Sequence, residues 1–252
     1  MKGRALVLSY CPSLPDEKEE ETTLDDGVLW KPAVLAQLPA VIYQVACGED
    51  FVLALAGNGE LWSWGENDMG VLGVGDTKYR VNPVRVTTML QAKREKSGSG
   101  SKKHDKSGKS QRKVETFSMP AIYHIAAGTS HCLALIEGPE DSRVVLSWGH
   151  GSRGQLGIKE RLLDRYTAAI TGDGATACPP DTLLKPCVIP QLSKLQVITV
   201  AAGNDHSGAV TSMGRLYMWG SNEFGQVTDP SMTWYSFIVE YSTLLHFFWI
   251  CP

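Results

Sequence analysis

One internal repeat constrains this chain more than any other feature. The segment Val45-Ala-Cys-Gly-Glu-Asp-Phe-Val-Leu-Ala-Leu55, followed by Leu61-Trp-Ser-Trp-Gly-Glu-Asn-Asp-Met-Gly70, is the first copy. It returns as Ile125-Ala-Ala-Gly-Thr-Ser-His-Cys-Leu-Ala-Leu135 with Leu146-Ser-Trp-Gly-His-Gly-Ser-Arg-Gly-Gln-Leu-Gly157. The third copy is Val200-Ala-Ala-Gly-Asn-Asp-His-Ser-Gly-Ala-Val210 with Leu216-Tyr-Met-Trp-Gly-Ser-Asn-Glu-Phe-Gly-Gln226. A repeat of this size is one supersecondary unit that cannot bury its own apolar faces, so neighbouring copies must stack.

The spacing inside a copy identifies the unit. Gly48 to Trp64 and Gly203 to Trp219 are each 16 residues, whereas Gly128 to Trp148 is 20. The extra length falls in the polar stretch Glu137–Arg143, as expected of a hairpin loop between two strands. The corresponding turns are Gly57-Asn58-Gly59 and Ser212-Met213-Gly214. The runs Val-Ala-x-Gly and x-Leu-Ala-Leu are too short for helices, and Leu-Trp-Ser-Trp has the aromatic content of a buried strand. A further apolar strand closes the unit at Pro83–Val86 in copy one and Lys185–Leu192 in copy two.

Four short strands per unit make a propeller blade. The predicted fold is therefore all-β, an open arc of about three stacked four-stranded antiparallel blades. The copies occupy about 42–90, 118–192 and 196–226. Lys31–Leu38 matches Lys185–Leu192 at five of eight positions, which places the last strand of a partial blade at about 28–40. Residues 1–27 read as an acidic segment, 91–117 as a basic disordered insert, and 227–252 as a hydrophobic tail foreign to the repeat.

The pattern Val-Ala-x-Gly-x-x-His-x-x-Ala-Leu … Trp-Gly-x-[Asn/Gly]-x-x-Gly-Gln-Leu-Gly resembles the Regulator of Chromosome Condensation repeat, over about 28–90 and 118–226. That family builds seven-bladed propellers, and three copies are too few to close one. Phe51 departs from the pattern at the histidine position, Val71 at the glutamine and Val227 at the leucine. The resemblance implies a non-catalytic protein-interaction scaffold that works through loops at one blade rim. The alternative it implies is guanine-nucleotide exchange on a Ran-like small GTPase. The rim loop Gly-x-Asp-His would then touch the GTPase through Asp50, Asp205 and His206, with Ser130 replacing the aspartate of copy two.

Enzyme motifs fail on inspection. Gly149-His-Gly-Ser-Arg-Gly154 has the form of a dinucleotide loop, but Asn67 and Asn222 stand where Gly151 does, so it reads as a repeated turn, and no helical pattern is evident after it. His131 and His206 recur at one template position, which suits a half-buried structural histidine bonded to blade backbone better than a base. Trp64, Trp148 and Trp219 read as core between blades. No nucleophile–base pair, paired carboxylates or metal-ligand spacing emerges, so no catalytic residue, cofactor or metal is assigned.

The 25 glycines among 252 residues exceed the usual share of about 7 %, in keeping with many tight turns. Six cysteines form no C-x-x-C pair, and the N-terminal apolar run is too short for a signal peptide. Those features predict an intracellular chain, cytoplasmic or nuclear, with reduced cysteines and no membrane span. Charge is uneven. Residues 93–113 carry nine bases and two acids, +7, and the rest of the chain −10. Lys102, Lys103, Lys106, Lys109, Arg112 and Lys113 make that insert an electrostatic arm for phosphate or another anionic surface, or a nuclear-import signal. A solvated linker is the plain alternative.

Overall fold

The computed structural model describes residues 6–7, 33–34, 38, 41–94, 112–138, 142–171, 178–227 and 234–241. Two short strands, β1 (Leu6–Val7) and β2 (Ala33–Val34), pair antiparallel ahead of the repeats. Blade 1 follows as β3 (Ile42–Cys47), β4 (Phe51–Ala56), β5 (Leu61–Gly65) and β6 (Arg80–Val86), an antiparallel sheet in chain order. Next come β7 (Thr88–Arg94) and β8 (Arg112–Ser118). Blade 2 holds β9 (Ile122–Ala127), β10 (His131–Glu137), β11 (Arg143–His150), helix α1 (Glu160–Thr171) and β12 (Thr182–Val188). Blade 3 is β13 (Val197–Ala202), β14 (His206–Thr211), β15 (Leu216–Ser221) and β16 (Trp234–Tyr241).

The second strand of each blade explains the x-Leu-Ala-Leu motif. All six residues of β4 are buried, as are the first six of β10, because a blade is covered on both faces. Alternate side chains point to opposite faces. Cys132 and Ser207 reach back to carbonyls of the preceding blade, so that side holds the small residues Val52/Ala54, Cys132/Ala134 and Ser207/Ala209. The forward side holds Leu53/Leu55 and Leu133/Leu135, each 0–1 % exposed. Small against large is how successive blades interlock at close-packed density.

Three expectations need correction. Residues 91–94 and 112–117 are not part of a structureless insert. They belong to β7 and β8, which pair antiparallel from Thr88↔Ser118 to Arg94↔Arg112. Met89 and Leu90 are buried, and Val114 and Phe117 pack on the core, so apolar flanks zip the base of the insert together. β7 also pairs in parallel with β12 at Leu90↔Cys187, which extends blade 2 to six strands in the order β8-β7-β12-β11-β10-β9.

Second, helix α1 lies beyond the glycine-rich turn of copy two, where no helix was anticipated. Leu162, Tyr166 and Ile170 recur every fourth residue on its inner side, and Tyr166 is 0 % exposed. Third, the tail from 227 is not wholly foreign to the blade. β16 pairs antiparallel with β15 from Leu216↔Tyr241 to Ser221↔Trp234. Backbone pairing needs no template side chains, and Trp-Tyr-Ser-Phe-Ile-Val-Glu-Tyr suits a strand by propensity.

Candidate functional site: the blade junctions and the loop rim

The template residues build a rim that repeats three times. Gly48 N–H donates to Phe51 O, Gly128 to His131 O and Gly203 to His206 O at 2.8–2.9 Å, closing the turn after each first strand. Glu66 N–H donates to Asp50 O, His150 to Ser130 O and Ser221 to Asp205 O, each at 2.8 Å. These bonds bring two loops of every blade to one rim. The glycine of each Trp-Gly pair has φ of +108° (Gly65), +92° (Gly149) or +105° (Gly220), and a Cβ there would strike the same Asp50, Ser130 or Asp205 carbonyl.

The same positions lock blade to blade. Trp148 Nε1–H donates to Val71 O at 2.7 Å, and Trp219 Nε1–H to Gln155 O at 2.8 Å. Trp64, Trp148 and Trp219 are 5, 0 and 0 % exposed, as the repeat predicts. Gly73 and Gly157 lie under the next blade's indole, where an added Cβ would come within 2.9 Å of the ring nitrogen.

His131 is fully buried rather than half-buried, and its partner is a side chain. Its Nε2 lies 2.8 Å from Ser207 Oγ of blade 3. The Ser207 hydroxyl donates to Gln155 O at 2.9 Å, so it accepts from His131, which fixes the proton on Nε2. Desolvation holds the imidazole down at about 3, so it is neutral and unable to serve as a base at ordinary pH. At the junction of blades 1 and 2, Phe51 and Cys132 take the two positions, and burial pushes the Cys132 thiol well up. A polar pair in one junction is replaced by an apolar one in the other.

The residues assigned to partner binding have different settings. Asp50 is exposed on the rim of blade 1 with Glu49, Glu66 and Asp68 around it in the two loops. Asp205 is held at the junction of blades 2 and 3: Arg153 Nε lies 3.5 Å from its Oδ2, and Gln155 Nε2 donates to its Oδ1 at 3.4 Å. Arg153 also pairs with Glu223 at 3.1 Å. His206 is partly buried on the forward face of blade 3. Desolvation lowers its pKa against the opposing charge of Asp205. Asp50 and Asp205 sit in the first and third blades with blade 2 between them, so the fold places them on one rim without bringing them together.

Arg112 opens β8, and Lys113 lies 3.7 Å from Glu115. Lys102, Lys103, Lys106 and Lys109 lie outside the described residues. The rim residues Arg153, Glu223 and Phe224, the last 88 % exposed, were not singled out in the sequence. Their signal was available: they vary between copies inside an otherwise repeated turn. Among the described residues no three metal-ligating side chains converge, and no helix is long and apolar enough to cross a membrane.

Comparison with known proteins agrees with this geometry. Two family models, each described as the Regulator of chromosome condensation (RCC1) repeat, match the chain, one over 42–71 and 197–226 and the other over 58–102 and 144–210. The chain is 30 % identical over 212 residues to the secretion-regulating guanine nucleotide exchange factor of Bos taurus, covering 82 % of this chain and 35 % of the relative. It is 27 % identical over 233 residues to the ultraviolet-B receptor UVR8 of Arabidopsis thaliana, covering 79 % and 46 %. Among solved structures, human WBSCR16 superposes with a TM-score of 0.54 at 18 % identity, covering 83 % of this chain and 40 % of that one. The chain thus spans between about a third and a half of these relatives. With the repeated motif, the blade junctions and both family models in agreement, the chain belongs to the Regulator of chromosome condensation repeat family.

Proposed function

We propose that this chain is a non-catalytic docking module whose loop rim receives a protein partner with a basic surface. The observation that carries the reading is the division of labour within each repeat. The template residues are spent on internal bonds, while the variable rim positions expose Glu49, Asp50, Glu66, Asp68, Glu223 and Phe224 to solvent. Carboxylates on a rim steer a cationic partner, and an exposed aromatic supplies an anchor. Asp50 takes part directly in this reading. Asp205 acts by setting Arg153 and Glu223, and His206 lies at the edge of the surface. The Lys102–Lys113 arm would add salt-dependent contact with an anionic surface.

A second reading, nucleotide exchange on a Ran-like small GTPase, is favoured by the likeness to a relative named as an exchange factor. One experiment addresses both. The purified chain and a variant with Glu49→Lys, Asp50→Lys, Glu66→Lys and Asp68→Lys are compared in cell-extract capture and in release of labelled GDP from the GTPase. Partners lost on charge reversal, with GDP release unchanged by either protein, are the expected result. Faster GDP release by the wild-type chain would favour exchange. An identical set of captured proteins would remove the rim from both readings.

A further inference from the structure

The two ends of the arc carry complementary halves of a blade junction, and we propose that the forward face of blade 3 receives the backward face of blade 1 from a second copy of this chain. On blade 3 the strand register puts His206, Gly208, Val210, Leu216 and Met218 on one face. The equivalent residues Phe51, Leu53, Leu55 and Leu61 in blade 1, and His131, Leu133, Leu135 and Val145 in blade 2, are at most 4 % exposed beneath the following blade. In blade 3, Gly208 replaces the leucine. The face holds an apolar groove of about 230 Å³, and Leu216 is 38 % exposed.

The matching half lies at the other end. Ile125 and Val200, one template position in β9 and β13, are 1 and 3 % exposed because each faces the blade before it. Val45, at that position in β3, is 41 % exposed. Its register with Ala54 places it on the backward face. Leu38 packs there against Val52, Ala54 and Trp64, but it stands at the template position of Leu192, which is buried with blade 2 in place. It belongs to the junction and does not obstruct it.

Polar contacts extend in register. Glu49 N–H donates to Thr129 O and Thr129 N–H to Asn204 O, so the next donor is Asn204 N–H and its acceptor is Glu49 O of a second copy. The indoles of Trp148 and Trp219 donate to the Val71 and Gln155 carbonyls, so the next pair is Trp64 Nε1–H with Gln226 O. The junction between copies is weaker than those within one. His206 meets Val52, which has no hydroxyl to offer, and Gly208 contributes no side chain. Association therefore depends on concentration, and being head to tail it adds copies in one direction until a ring closes.

Sedimentation velocity across a concentration series tests the proposal, using the full chain and the variants Val45→Glu and Leu216→Glu. Both residues are exposed in a single copy, and circular dichroism checks that each variant folds; if one does not, Val45→Lys and Leu216→Lys replace the pair. Wild-type mass should rise with concentration, and either variant alone should stay monomeric at concentrations at least tenfold higher. An equimolar mixture should form a dimer and stop there, because it holds one intact pair of faces. A wild-type chain monomeric throughout would mean that the blade 3 face is covered from within its own chain or reserved for another protein, and would overturn the proposal. So would variants that associate like wild type, or a mixture that forms no dimer.

Discussion

His131, Ser207 and the Gln155 carbonyl form a buried chain of hydrogen bonds that holds blade 2 to blade 3. The recurrence of histidine in copies two and three argued for a structural role. Its pairing with a serine of the following blade did not show, because the two lie 76 residues apart. The acid stability of the protein should reveal the pair. The folded imidazole titrates near 3 against an ordinary value of 6.5, with desolvation as the main cause. The unfolded chain therefore binds the proton more readily, and stability is fully present above pH 6.5 and lost as pH falls towards 3. The slope is up to ~1.4 kcal/mol per pH unit from this residue. His206, also lowered by desolvation, adds in the same direction. Urea unfolding at pH 7, 5 and 4 measures the loss. The double variant His131→Phe with Ser207→Cys, which copies the Phe51–Cys132 pair, should lose less stability between pH 7 and 4 than wild type. Parallel losses would mean that carboxylates, and not His131, govern the acid limb.

Tyr166 does for elements what His131 does for residues. Its hydroxyl accepts from Ala92 N–H at 3.2 Å and donates to Val188 O at 3.1 Å, bridging β7 and β12 where direct pairing between those strands is limited to one register position. Helix α1 thus clasps the β7–β8 hairpin to the outer edge of blade 2. Tyr166→Phe keeps the packing and leaves both backbone groups without that partner, a cost of about 1–3 kcal/mol. Amide exchange at Ala92 should accelerate more than at Leu53 in blade 1. If both rise equally, the hydroxyl stabilises the whole molecule and is no local clasp. Neither the helix nor the hairpin was read from the sequence, for one reason. Both interrupt the repeat, and their apolar residues are too few to signal an element until blade 2 supplies the surface they cover.

For the whole molecule, the hairpin changes what the basic insert is. Its described ends are strands, so the segment 95–111 stands on a structured base at the outer edge of blade 2. Replacing 95–111 by Asn-Gly should keep the β7–β8 pairing, leave the β-rich circular dichroism unchanged and move the melting midpoint by only a few degrees. Cutting the longer span 93–113 should cost more, because it removes paired residues from both strands. Equal and large losses from both deletions would assign the basic segment itself to the fold.

The sequence alone determined the repeat, the strand content, the hairpin turns and the burial of the three tryptophans. Each depends on spacing and alternation within a copy, and local sterics enforce those wherever the copy stands. The tertiary structure decided which histidine meets which serine, which rim carboxylates are tied to Arg153 and which are left to solvent, and that β16 completes a blade without template residues. It also decided which apolar faces lie at the ends of the arc. Those outcomes depend on which surfaces stacking brings together, and residues far apart in the chain carry no local mark of their partners.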